Sequence, residues 1–211
     1  MIPQDLTGFL WRMKCRSEKS HWDASKHCFT GFVDFGGGAL EEVLATSALV
    51  VMAVNLRIRC KLPMAYYFTH GLTGEQLSRI LIDVIKSMWE VGCRVLGCVT
   101  DSDWKNRAAA KTLGIAIDGE MIKNSFPHPC CNGESVYWIF DTCHLLKLAR
   151  NSIGEYKVLH STDNGDDRVI RWNYFLQLFK LQESDTLFLA NKISGDHINY
   201  ATKKMKVSLA A

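Results

Sequence analysis

The sequence predicts an α/β fold on a mixed sheet: three antiparallel strands, then parallel strands with crossover helices, then a partial helical insertion. Three observations carry this expectation. Aromatic and β-branched runs broken by turn residues dominate residues 28–69, a helix with its own capping signal starts near residue 73, and two short apolar runs after it each end in an aspartate and lead into a helix.

Taken in order, residues 1–27 mix Trp11, Arg12, Lys14, Arg16 and Lys19 into a weak apolar pattern, which predicts at most a short edge strand. Residues 28–35 read as a strand, closed by a turn at Gly36, Gly37 and Gly38. Residues 48–55 and 62–69 are two further strands, with Pro63 tolerable only near a strand start or edge. The three together predict an antiparallel meander. Thr73 with Gln76 makes a capping box, and Leu77, Ile80, Leu81, Val84, Ile85 and Met88 follow helical spacing until Gly92. Residues 93–100 form an apolar run ending at Asp101, and a helix from Trp104 to Leu113 stops at Gly114. Residues 136–140 repeat the plan, ending at Asp141 before a helix through Leu145, Leu146 and Leu148. Strand, helix, strand at this spacing implies parallel pairing by crossover, so the order is that of a ribonuclease H-like sheet. Further on, Trp172, Phe175, Leu176, Leu178 and Phe179 form the apolar stripe of a mostly helical second segment. The expected organisation is a degenerate N-terminal segment (1–27), the sheet core (28–151) and the start of a helical segment (152–211).

Composition narrows the class without choosing it. With 25 basic and 22 acidic residues the formal net charge is +3, too even for the overall field to specify a nucleic-acid partner. Several of the 8 cysteines lie in apolar runs, where free thiols pack as small hydrophobes, and this points to a reducing compartment. No opening segment joins a basic start to a long apolar stretch, and no apolar run approaches the roughly 20 residues that span a bilayer. An intracellular protein without a membrane partner is expected.

In parallel α/β arrangements reactive groups gather beyond the carboxyl ends of the strands, where Asp101 and Asp141 fall. On neighbouring strands the two carboxylates would share divalent metal, and hard oxygen ligands suit magnesium. The competing reading is that an aspartate at a strand end caps the next helix, a role expected of Asp103 as well. His128, Cys130, Cys131, Cys143 and His144 lack the paired spacing of a zinc knuckle. Gly36 to Gly38 lack the Gly-Lys-Ser/Thr of a phosphate loop, and Lys203, Lys204 and Lys206 suit a solvated helix face.

Many blocks in one order resemble the P-element-type DNA transposases, including relatives with a zinc-binding THAP domain in front. They include Phe29-Thr30-Gly31-Phe32-Val33-Asp34, Gly71-Leu72-Thr73-Gly74-Glu75, Val99-Thr100-Asp101 and Phe126-Pro127-His128-Pro129. Asp141-Thr142-Cys143-His144-Leu145-Leu146-Lys147 and Ala190-Asn191-Lys192 continue the match. The resemblance implies a ribonuclease H-like fold with an Asp, Asp, Glu site that uses Mg2+ or Mn2+ to cut and rejoin DNA. It also implies a helical insertion that binds GTP, nuclear location, and DNA and a second copy of the chain as partners. Asp101 matches the second catalytic, metal-binding aspartate; Asp141 matches a characteristic aspartate beside the site whose role stays open.

Two departures bear on activity. The family's first aspartate lies in an Asp-Glu-Met-Ser-Ile type strand, and the matching stretch here reads Trp11-Arg12-Met13-Lys14-Cys15-Arg16, which puts positive charge where cations bind. The third carboxylate follows the insertion, which this chain is expected to carry in truncated form. Asp34 belongs to the hairpin after that first strand and reads as structural. The expectation is a transposase-derived domain, catalytically incomplete alone; the alternative is a domesticated DNA- or protein-binding module without cleavage. A small-molecule enzyme is disfavoured because no nucleophile, base and orienting group stand out.

Overall fold

The structure is a computed structural model that describes residues 4–13, 21–23, 28–35, 40–117, 121–161, 168–184 and 193–205. By contacts the chain divides into two compact units, Met1–Asp141 and Thr142–Ala211.

The first unit contains β1 (Gln4–Met13), β2 (His21–Asp23), β3 (Cys28–Thr30), β4 (Phe32–Asp34), β5 (Leu40–Leu44), β6 (Ser47–Asn55) and β7 (Lys61–Thr69). Helix α1 (Gly74–Glu90), β8 (Cys93–Thr100), α2 (Trp104–Thr112), β9 (Ser125–Pro127) and β10 (Ser135–Phe140) complete it. Eight strands form one mixed sheet in the order β5-β4-β7-β6-β1-β8-β10-β9. β1, β8 and β10 run parallel, whereas β6 is antiparallel to β1 and β7 to β6.

This arrangement corrects two expectations. The N-terminal stretch is no edge strand: Gln4–Met13 lies between β6 and β8, in the interior of the sheet. Its place is set by pairing with residues far along the chain, which local propensity does not register. The expected strand over 28–35 is also not the first member of the meander. It breaks at Gly31, whose φ of 101° suits glycine; Cys28–Thr30 then pairs with His21–Asp23 in a separate ribbon, and Phe32–Asp34 joins the main sheet between β5 and β7. The antiparallel trio is therefore β1, β6 and β7. Pro63 faces Met52 where the β6–β7 register shifts, an irregularity that accommodates a residue without an N–H. The glycine turn expected at 36–38 lies outside the described residues.

Helix α1 matches its sequence signal. Thr73 and Gln76 exchange both hydrogen bonds of the capping box, and Gly92 follows with φ 80°. Its buried stripe, Leu77, Ile80, Leu81, Val84, Ile85 and Met88, belongs to one core with Leu49, Val51 and Ala53 of β6, Val95 and Cys98 of β8, and Val136 and Trp138 of β10. Burial pushes the Cys98 thiol up to about 12, so it packs as a small neutral group. Ala109 and Ala110 bring α2 into the same core. Helix α1 meets α2 at Gly74, where an added Cβ would lie 2.6 Å from the Ala108 Cβ and 2.8 Å from its backbone carbon.

At the sheet edge, the turn from β9 to β10 closes around His128. Its backbone N–H donates to the Glu134 carbonyl, its Nδ1 accepts from the Cys130 N–H at 3.1 Å, and its ring packs against Trp89 at 5.2 Å with the planes tilted by 59°. The Nε2 atom is buried without a partner. Burial, and then the Arg94 charge, hold this imidazole below its ordinary 6.5 against the opposing pull of Glu134.

The second unit contains α3 (Thr142–Tyr156), a hairpin of β11 (Val158–Ser161) and β12 (Arg168–Arg171), α4 (Trp172–Ser184) and α5 (Gly195–Ile198). The aromatic stripe begins α4 as its spacing predicts, with Trp172 buried against Phe175 and Tyr200. Gly154 lets Tyr200 approach so closely that a Cβ would sit 2.5 Å from the ring. Arg150 donates to the carbonyls of Asp196 and Lys203, tying α3 to the segment after α5.

Two predictions follow from this packing. Gly74→Ala forces α1 and α2 apart and should lower stability by about 1–3 kcal/mol in chemical denaturation. His128 stays neutral in the folded chain and binds a proton more readily when unfolded, so its contribution is complete above pH 6.5 and is lost as pH falls below that value. The acid limb of the stability curve should flatten in His128→Gln.

Candidate functional site

The carboxyl ends of β8 and β10 bring the two candidate aspartates together along the backbone. Phe140 pairs with Thr100, and the Asp141 N–H donates to the Thr100 carbonyl at 2.7 Å, so Asp101 and Asp141 leave the sheet side by side. On the other flank of β8, Phe9 pairs with Val99; two residues further the same register sets Trp11 level with Asp101. The acidic residue of β1 is Asp5, which pairs with Arg94 at the opposite end of β8.

Local hydrogen bonds fix Asp101. Its Oδ1 accepts from the Asn106 amide at 2.5 Å and from the Asp103 N–H at 3.1 Å, and Asn106 also donates to the Asp101 carbonyl at 3.2 Å. Asp101 thus shapes the entry to α2, as the structural reading requires, while remaining exposed to solvent. Asp103 occupies the N-cap position of α2, but its side chain makes no capping hydrogen bond, contrary to expectation. Asn106 was not foreseen as part of the site. The signal was its place five residues after Asp101, one turn into the next helix.

A small cleft of about 40 Å³ opens here, lined by Leu49, Leu72, Leu77, Asp101, Asp103, Lys105 and Asn106. Its apolar wall comes from β6 and the start of α1; its polar wall comes from the β8–α2 connection. Lys105 brings a positive charge to the same cleft as the two carboxylates. On either side of Asp101 the Thr100 and Ser102 hydroxyls are buried without a hydrogen-bond partner.

The fit to divalent metal is incomplete. Among the described residues, no three of His, Cys, Asp and Glu gather closely enough to hold one ion. A pair of cations needs several convergent oxygens, and here one Asp101 oxygen is engaged by Asn106 while Lys105 competes for the charge. The cysteine and histidine groups at 128–131 and 143–144 likewise form no metal cluster among the described residues. In the second unit, an open groove of about 420 Å³ is lined by Asn151, Ser152, Glu155, Tyr156, Tyr200 and Ala201, a set without a cation for a triphosphate. Lys203 and Lys204 are exposed, and Lys206 and residues 190–192 lie outside the described residues.

Because Asp101 is exposed, its hydrogen bonds to the α2 entry contribute modestly to stability. Asp101→Ala and Asn106→Ala should each cost no more than about 1 kcal/mol, read as a shift in denaturation midpoint.

Comparison with known proteins bears on both units. Residues 13–114 match the family model described as TNP-like, RNase H N-terminal domain, and residues 143–211 the one described as TNP-like, GTP-binding insertion domain. The chain is 31% identical over 196 residues to DNA transposase THAP9 of Homo sapiens, covering 92% of this chain and 21% of that protein. It is 26% identical over 201 residues to the Transposable element P transposase of Drosophila melanogaster, covering 89% and 25%. The chain therefore spans a quarter or less of the length of these curated relatives. The solved Drosophila P element transposase strand transfer complex superposes with a TM-score of 0.72 at 20% identity, covering 98% of this chain and 41% of that one. At that identity the likeness establishes a shared fold.

Proposed function

The chain belongs to the P-element-type transposase family, and from that premise we propose that it is a ribonuclease H-like module which engages DNA in the nucleus without cutting it alone. What carries this reading is the register across the carboxyl edge of the sheet. Asp101 and Asp141 follow adjacent strand ends, and the β1–β8 register, carried two residues past its last pair Phe9–Val99, puts Trp11 on the other side of Asp101. In this reading Asp101 is the retained catalytic-type aspartate, Asp141 its neighbour, and the position that would supply the next oxygen supplies none.

A divalent cation, where a complete oxygen set exists, would polarise a phosphodiester and ready water or a hydroxyl for attack. What this chain's own residues contribute is positioning. Asn106 holds the Asp101 carboxylate, and Lys105 offers an ammonium to a phosphate at the cleft mouth. Leu49, Leu72 and Leu77 close the cleft floor to bulk water. By its family match the segment over residues 143–211 is of the GTP-binding insertion type.

The test is direct. Purified chain supplied with Mg2+ or Mn2+ should leave duplex DNA intact. It should bind that duplex with an affinity that falls by roughly ten- to fifty-fold between about 50 and about 200 mM salt, as two or three phosphate contacts require. Metal-dependent cleavage that disappears in Asp101→Ala would sink the non-cleaving reading, and absence of any salt-dependent binding would sink the DNA-engaging one.

A further inference from the structure

Helix α2 starts three residues after Asp101 and displays one outward stripe. Trp104, Arg107 and Lys111 stand at i, i+3 and i+7, and all three are exposed, Trp104 at 67%. The opposite side of the helix is held in the core by Ala109 and Ala110, at 0% and 2% exposure. The stripe is therefore held rigidly by packing that does not involve it. The helix itself, WKNRAAAKT, carries three cations and no acidic residue, and Asp103 occupies its N-cap four residues before Arg107. Lys105 holds its ammonium 5.4 Å from the Trp104 ring centroid, a cation–π contact that steadies the indole near the mouth of the Asp101 cleft. Past Trp104 the cationic track continues. Arg107 and Lys111 line an open groove of about 530 Å³ with Gly114 and Ile115, and the Lys123 ammonium lies 3.5 Å from where a Cβ on Gly114 would be.

An indole left in water at the start of a cationic track has a specific use. Bases stack on aromatic faces while neighbouring cations follow the phosphates, and only an unpaired base has a face open for stacking. Arg107 and Lys111 are one helical turn apart, roughly 6 Å along the axis, so they meet successive phosphates of a strand whose leading base rests on Trp104. A duplex offers phosphates to the same cations but no open base face.

We propose that α2 is a binding track for single-stranded nucleic acid, with Trp104 stacking an unpaired base beside the Asp101 cleft and Arg107 and Lys111 contacting the following phosphates. The inference rests on the reading that this chain engages DNA and deepens it by naming the strand state and the residues.

The experiment uses the full chain and fluorescein-labelled oligothymidylate of roughly 16 nucleotides, with a duplex of equal length, followed by anisotropy. Trp104→Ala should weaken oligothymidylate binding roughly tenfold and leave duplex binding within error, and Trp104→Phe should recover most of the loss. Arg107→Ala with Lys111→Ala should weaken both ligands and flatten the salt dependence. The inference is overturned if Trp104→Ala leaves oligothymidylate binding unchanged, if it weakens the duplex equally, or if Trp104→Phe behaves like Trp104→Ala. Duplex binding by the parent chain with any of those results removes the stacking track alone. Binding of neither ligand removes the DNA-engaging reading with it.

Discussion

The register among β1, β8 and β10 governs the chemistry of this chain. β8 has a parallel partner on each side, and its last residue, Thr100, accepts the hydrogen bond from Asp141 that aligns the two strand ends. Because side chains alternate along a strand, a slip of one residue would exchange the buried and outward sets and separate Asp101 from its neighbour. The core of α1, β6, β8 and β10 prevents that slip, since Val95, Cys98, Val136 and Trp138 reach the helix only in this register. The site is thus a by-product of hydrophobic burial several residues away from it.

That dependence also separates the strength of the fold from the competence of the site. Asp101 is exposed, tied to Asn106 and the Asp103 N–H, and none of these residues belongs to the hydrophobic cluster. Loss of a carboxylate at the strand ends removes an oxygen from a cation site without opening a cavity in the core. A Trp in the central strand, level with Asp101, is compatible with an intact sheet and incompatible with a carboxylate at the same position. The sheet and the side chains at its strand ends are therefore free to diverge.

The sequence disclosed those parts of the fold that depend on nearby residues. The Thr73–Gln76 capping box, the α1 stripe, and the apolar runs ending at Asp101 and Asp141 are all specified within a few turns or strand lengths, and all appear where they were expected. What escaped depends on partners far away in the chain. Gln4–Met13 contains Thr7, Gly8 and Arg12, a pattern too mixed to predict an interior strand, yet it pairs with Ser47–Asn55 and Cys93–Thr100. Residues 28–35 looked continuous, and only the positive φ at Gly31 divides them between two sheets. At the site, Asp101 and Asp141 were identifiable because strand ends mark such positions. Asn106 and Lys105 were not singled out, since spacing after Asp101 places them in the first turn of α2 without saying which of its side chains returns to the preceding strand.

The cleft holds opposite charges in a small space. Asp101 and Asp103 set two carboxylates against the single Lys105 ammonium, which offsets part of their charge and weakens their pull on a free cation. Along α2 itself the charge is positive, from Lys105, Arg107 and Lys111, with the Asp103 carboxylate at its N-cap end. Moving from strand ends to helix, the surface therefore passes from mixed charge to predominantly positive charge. On the proposed reading, a strand guided along the helix would arrive at the carboxylates of the strand ends.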